Sequence, residues 1–192
     1  MNALEKRSVS ALASVYAMRM LGLFMVMPVF MLLGNDLDGA TPALLGFAIG
    51  AYGLSQALLQ IPFGMLSDRV GRKQMIYIGL VLFAAGSLLA ASTDCVYVVI
   101  AGRILQGAGA IASGLVALLS DLTREEERTK AMATVGISIG LSFSVSLVLG
   151  PLIGSVWGLS GIFYVTAALA AIALVVVHRV VPSPHQHRIS AD

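Results

Sequence analysis

The sequence predicts an all-α membrane protein of six transmembrane helices, with both termini cytoplasmic. Three observations carry that expectation. First, 58% of the 192 residues are hydrophobic and only 11% are charged, with a mean hydropathy of +0.91. Soluble domains carry about 25% charged residues, so too few polar groups are present to cover a surface facing water. That balance excludes a soluble globular domain, a disordered chain and a nucleic-acid-binding domain. Second, the apolar residues fall into six long segments, near the roughly 20 residues that cross a bilayer. Third, the basic residues alternate from one side to the other. Lys6 and Arg7 precede the first segment, and Arg69, Arg72 and Lys73 separate the second from the third. Arg124, Arg128 and Lys130 separate the fourth from the fifth, and Arg179 and Arg188 end the chain. The three intervening loops carry no Lys or Arg. Positive charge retained on the cytoplasmic side places both ends there, which requires an even number of spans.

The segments run over about 9–34, 43–66, 74–93, 97–120, 131–154 and 160–181, and they form one domain over 1–181. Backbone polar groups find no water in lipid, so each segment must satisfy them internally as a helix. A transmembrane barrel needs strands of about 10 alternating residues, and these segments are longer and more uniform. Span 1 contains Arg19 and Pro28. It is longer than the apolar core of a signal peptide and lacks a convincing cleavage site, so no cleaved leader is expected. Span 2 opens with Thr41 as N-cap and Pro42 as first helical residue, and contains Pro62. Its Gly46, Gly50, Gly53, Ala57, Gln60 and Gly64 share one helical face, a stripe that permits close helix packing or a sliding interface. Span 3 follows SDRVGRK (67–73), a helix end with a tight turn at Gly71. Span 4 carries Arg103 and the small residues Gly107, Ala110, Gly114 and Ala117. Span 5 follows Thr123 and Glu126, spaced as a capping box. It holds Gly136, Gly140, Gly150, Pro151 and Gly154. Span 6 ends before a polar segment, 182–192, read as a cytoplasmic tail or truncated linker. Trp157 and Tyr97 fall near the outer face and Tyr77 near the inner one, where amphipathic rings sit. Spans 1 and 4 share a loose arginine-containing pattern and spans 2 and 5 a glycine stripe. That points to a 3+3 inverted repeat.

Arg19 and Arg103 are the sharpest features. An arginine well inside a span costs on the order of 3 kcal/mol by insertion scales, so it faces a cavity or a partner. No acidic residue lies deep in any span. Each guanidinium must therefore meet water, a carbonyl, an anionic ligand or a carboxylate from outside this chain. The plainer alternative is a structural arginine that snorkels or bonds to carbonyls. Gln106, three residues after Arg103, shares its face. Gln56 and Gln60 are further hydrogen-bonding groups in span 2, Gln56 better suited to packing. At the basic end, Asp68 can pair with Arg69 or Arg72, and Asp121 suits one of those arginines. The alternative is a solvated loop. Other chemistries lack their residues. Ser113-Gly114 is preceded by Ile111 where a rhomboid-type protease needs glycine, and His178, His185 and His187 lie at or beyond the end of span 6. The tail supplies too few ligands for a metal. Asp36 and Asp38 begin no complete calcium loop. No Walker-type phosphate loop is present. The chain is expected to be neither an enzyme nor a cofactor-binding protein.

The motif GMLSDRVGRK (64–73) is similar to the signature between helices 2 and 3 of the major facilitator superfamily. RILQGAGA (103–110) resembles that superfamily's helix-4 signature, and LGPLIG (149–154) its helix-5 antiporter signature. The resemblance implies half of a twelve-helix fold, a bacterial inner-membrane location, and proton-coupled efflux of a small molecule by alternating access. No cofactor is implied, the proton gradient supplying the energy. It implies a proton and substrate pathway through Arg103, Gln106, Arg19 and Gln60. It implies a cytoplasmic gating motif of Gly64, Asp68, Arg69, Gly71, Arg72, Lys73 and Asp121, in which Asp68, Arg69 and Asp121 are linked. Gly150, Pro151 and Gly154 would bend helix 5 at the interface between halves. The glycine usual four residues before the Gly-Pro pair is Ser146 here. Expected partners are the lipid bilayer, a small-molecule substrate, and a second six-helix half or second copy of this chain. The alternative is a truncated or half-transporter component without transport activity of its own.

Overall fold

The computed structural model describes residues 2–181, and the tail read from 182 onward lies outside them. Its elements are helical: α1 (Ala3–Val26), α2 (Phe30–Leu33), a 3-10 turn (Gly34–Asp36), α3 (Pro42–Val70), α4 (Arg72–Ala91), α5 (Val96–Ala108), α6 (Ala112–Asp121), a 3-10 turn (Glu125–Glu127) and α7 (Arg128–Val180). Five stretches are long and apolar enough to cross a membrane: Glu5–Val26, Pro42–Val70, Arg72–Ala91, Val96–Asp121 and Glu125–Val180. The last is interrupted at Gly158, whose φ of 64° and ψ of −165° lie outside the helical region. That residue falls inside the break expected at 155–159.

Several boundaries differ from the sequence reading, each for a local reason. Helix α1 begins at Ala3 rather than near 9, because Asn2 and Glu5 form a capping box: Glu5 N donates to Asn2 Oδ1 at 2.8 Å and Asn2 N to Glu5 Oε2 at 2.7 Å. It stops at Val26, ahead of Pro28, whose missing N–H and fixed ring cannot continue it. Pro62 and Pro151, by contrast, lie inside continuous α3 and α7. The Thr41–Pro42 start of α3 forms as expected, with Leu44 N donating to Thr41 Oγ1 at 3.2 Å. The Thr123–Glu126 capping box does not form. Thr123 is buried and its hydroxyl donates to Leu119 O at 2.7 Å. The acceptor for Arg124 N is instead Glu5 Oε1, from the start of α1. Span 4 was expected to be one helix and is two, α5 and α6, separated at Gly109–Ile111. Gly71 adopts φ 110°, open to glycine, and turns the chain from α3 directly into α4.

Helix α1 packs along α7, and α5 is wedged between α3 and α4. Close approach comes from glycines. A Cβ on Gly102 would lie 2.7 Å from Gly86 O, and one on Gly107 would lie 2.2 Å from Tyr52 O. One apolar cluster fills the basic end around Leu12, Ile76, Leu80, Leu115 and Leu118. A second fills the opposite end around Met25, Phe30, Leu45, Val96 and Phe163. Met20, Leu23, Tyr52, Phe83 and Ala170 form the middle. The first three glycines of the α3 stripe make no close packing contact within the bundle. A Cβ on Gly46, Gly50 or Gly53, or on Gly136 or Gly140 of α7, would meet nothing within 4 Å. The same helices expose Leu58, Ile61, Ile137 and Val148.

The two glycine classes separate in a melting experiment in detergent micelles. Gly102→Val should destabilise the helical bundle by about 1–3 kcal/mol through overpacking against Gly86. Gly50→Ala should be neutral or stabilising by about 0.5–1 kcal/mol, since it meets open space and gains helix propensity.

Candidate functional site

Arg103 and Arg19 are both buried, each with 1% of its surface exposed. Arg103 is carried by α5, which also presents Gln106 one turn later. Arg103 Nη1 donates to Gln106 Oε1 at 2.9 Å, Gln106 Nε2 to Ser87 Oγ at 2.7 Å, and Ser87 Oγ to Phe83 O at 2.7 Å. The relay thus runs from α5 into α4, across the close contact that Gly86 and Gly102 permit. The guanidinium carbon stands 4.8 Å from the centroid of the Tyr52 ring, on α3. Arg19 reaches from α1 to the gap between α5 and α6. Its Nη2 donates to Gly109 O at 2.9 Å and lies 3.4 Å from Gln56 Oε1, with the Phe83 ring centroid 5.4 Å from its guanidinium carbon. Ring faces carry negative potential and attract cations, more so when desolvated. Arg19 Nε and Nη1, Arg103 Nε and Nη2, and the Tyr52 hydroxyl have no hydrogen-bond partner among the described residues. The Gln60 side chain makes no hydrogen bond there, though its carbonyl lies 3.4 Å from Ser113 Oγ. Gln106 was legible beside Arg103. Ser87, Tyr52 and Phe83 were not. The one serine of α4 was the available signal for the first, and no pattern marked the rings.

At the basic end, Arg72 is the hub. Its Nε stands 3.0 Å from Asp121 Oδ2 and its Nη2 3.5 Å from Asp68 Oδ1. Of the two arginines open to Asp68, Arg72 makes the pair, and Arg69 is exposed and makes no ion pair among the described residues. Adjacent helical residues do not face each other, so Arg69 points away from Asp68 in the last turn of α3. Arg72, beyond the Gly71 turn, opens α4 next to the end of α6, where Asp121 sits. Lys73 Nζ donates to Val181 O, and Tyr77 Oη lies 3.2 Å from His178 Nδ1. A cavity of about 850 Å³ is lined by Asp68, Arg72, Lys73, Tyr77, Asp121 and His178. Gly64 lies against Ser113 of α6, a Cβ there being 3.4 Å from its Oγ. Glu5, unremarked in the sequence, ties α1 to the loop before α7 by accepting from Arg124 Nε at 2.9 Å.

The helix-5 motif faces inward. A Cβ on Gly150 would stand 2.5 Å from Met25 O, and one on Gly154 would stand 2.8 Å from Leu33 Cδ1, so both let α7 press against the end of α1 and the start of its continuation. Pro151 is exposed. Ser146, where the usual motif has glycine, is buried and donates to Phe143 O at 2.7 Å within its own helix.

Long apolar helices, charges buried against rings and carbonyls, and an ion-pair hub at one end define a polytopic membrane protein. The model of the Major Facilitator Superfamily matches residues 12–191, and the chain belongs to that family, whose members are transporters rather than enzymes. It is 50% identical to the inner membrane transport protein YajR of Escherichia coli (strain K12) over 188 residues, covering 98% of this chain and 41% of that protein. It is 35% identical to multidrug resistance protein 2 of Bacillus subtilis (strain 168), covering 78% of this chain and 37% of that protein. The crystal structure of the human organic anion transporter MFSD10 shares the fold with a TM-score of 0.80 at 20% identity, over 96% of this chain and 49% of that one. The chain spans less than half the length of these relatives.

The two arginines of the 67–73 motif should differ in effect. Arg72→Ala removes both contacts of the hub and should lower stability on the order of 1 kcal/mol. Arg69→Ala should leave the melting curve unchanged, within about 0.5 kcal/mol. Thermal unfolding of both variants in the same micelles checks the order.

Proposed function

We propose that this chain is the N-terminal half of a secondary active transporter, working by proton-coupled efflux of a small molecule through alternating access. The observation that carries the reading is the buried Arg103–Gln106–Ser87 relay in the middle of a chain of this family. A cation held without a carboxylate beside it is poised to exchange partners as charge moves nearby. Arg103 and Gln106 take the proton-coupling role, and Arg19 and Gln60 belong to the same pathway. The break at Gly158 within the last apolar stretch supports a reading of six spans. The one-sided distribution of Lys and Arg supports cytoplasmic termini in a bacterial inner membrane. The shared arginine pattern of spans 1 and 4 supports the 3+3 repeat. Asp68, Arg72 and Asp121, with Gly64, Gly71 and Lys73, form the cytoplasmic gate, Arg69 lying at its margin. The open glycine faces of α3 and α7 are where a second six-helix half docks.

A second reading is favoured by one observation, the 41% of the E. coli relative that the chain spans. In it, the chain alone inserts but does not transport. Vesicle reconstitution under an imposed pH gradient separates the two, using a fluorescent cationic dye as probe. The chain alone should move dye in proportion to the gradient on the first reading, and on the second it should do so only once a second six-helix half is added. Arg103→Ala should reduce that movement at least tenfold while membrane insertion stays intact. Undiminished movement in the variant would remove Arg103 from the mechanism.

A further inference from the structure

The fourth apolar stretch, Val96–Asp121, is divided where a membrane helix would ordinarily be continuous. Gly109 has φ −72° and ψ 50°, which ends α5 at Ala108. The chain then makes two tight turns, Ala110 N donating to Ala108 O and Ile111 N to Gly109 O, both at 2.9 Å. Helical bonding restarts with Leu115 N donating to Ile111 O at 2.8 Å. A break leaves carbonyls without their usual donors, and in an apolar interior these must find other partners. One side chain among the described residues supplies such a donor: Arg19, whose Nη2 reaches Gly109 O from α1.

The break rests on a firm seat. A Cβ on Gly79 would lie 2.0 Å from Ile111 Cγ2, and one on Gly109 would lie 2.3 Å from Gly79 O, so α4 presses flush against the turn. Beyond it, α6 is a stiff ten-residue rod with Leu115, Leu118 and Leu119 fully buried. Its far end is Asp121, bound to Arg72. Arg72 thus holds the far end of the rod, and Arg19 holds the turn that precedes its near end. The rod itself, ten residues long, measures about 15 Å at the helical rise.

We propose that Arg19 is a positioning residue that sets the angle between α5 and α6, and that α6 transmits this angle to the Arg72–Asp121 pair at the basic end. Arg19 is suited to the task because its Nε and Nη1 are unpartnered. A second acceptor can engage them and draw the guanidinium off Gly109 O, which frees the turn that joins α5 to the rod. The consequence for transport rests on the reading above. The lever itself does not.

The test uses the full chain in lipid nanodiscs, with Cys95→Ser as background. Nitroxide labels go on cysteines at Tyr97 of α5 and Val116 of α6, both exposed. The label-to-label distance distribution should be narrow in the background protein and at least twofold broader with Arg19→Gln. It should stay narrow with Arg19→Lys, which keeps a donor and the charge. It should also stay narrow with Arg103→Met, which removes the other buried cation. An unchanged width in Arg19→Gln, or equal broadening in Arg103→Met, overturns the proposal. If Arg19→Gln does not fold, the reciprocal measurement decides. Arg72→Ala, at the far end of the rod, should raise amide hydrogen exchange at residues 110–114 at least tenfold. Unchanged exchange there overturns the proposal, since a merely local role of Arg72 would not reach the break. Lost vesicle transport with unaltered distances would leave the transport reading standing and remove the lever.

Discussion

Two guanidinium groups lie in an apolar interior with no carboxylate beside them. Taking such a group out of water costs several kcal/mol unless hydrogen bonds and charge-compensating surfaces replace the lost hydration. Here the replacements come from three helices at once. Arg103 uses Gln106 from its own helix, reaches Ser87 of α4 through it, and stands over Tyr52 of α3. Arg19 uses the freed carbonyl of Gly109 and stands near Phe83. Those contacts require α3, α4 and α5 to lie closer than ordinary side chains allow. Glycines at 86, 102 and 107 meet that requirement. The apolar clusters at either end then fill around a middle whose spacing is already set.

The same constraint explains why the fourth span is broken. In a continuous helix Gly109 O would be engaged within the helix, leaving Arg19 the longer contact to Gln56 Oε1. The break in turn leaves Gly109 O with one backbone donor, Ile111 N, and Arg19 supplies a second. Ionisable groups within a span pair with one another or with backbone carbonyls.

The bundle is finished on one side and open on the other. Helices α1, α4, α5 and α6 bury much of their surface, whereas α3 and the first half of α7 present glycines and large apolar side chains outward. Lipid alone can cover such faces. Yet small residues aligned on them are the composition that lets helices meet closely, and the family's longer members have further chain to supply such helices.

Much of this was legible in the sequence because it depends on composition and period. Apolar length, the Thr41–Pro42 start, the Gly71 turn, and the membership signalled by three ordered motifs are properties of short windows. The proximity of Gln106 to Arg103 needed only the pitch of a helix. What the tertiary structure decided involves partners far apart in the chain. Glu5 was an unremarkable tail residue until α1 brought it to Arg124. Asp68 could choose between two arginines, and the choice of Arg72 depended on where α4 lies relative to α6. The glycine stripe of α3 was indistinguishable from a packing face, because a stripe records that a close approach is possible and not which helix makes it. The break at Gly109 had no local mark either. A helix in lipid yields its hydrogen bonds where another helix offers a replacement donor, and that donor, Arg19, stands ninety residues away.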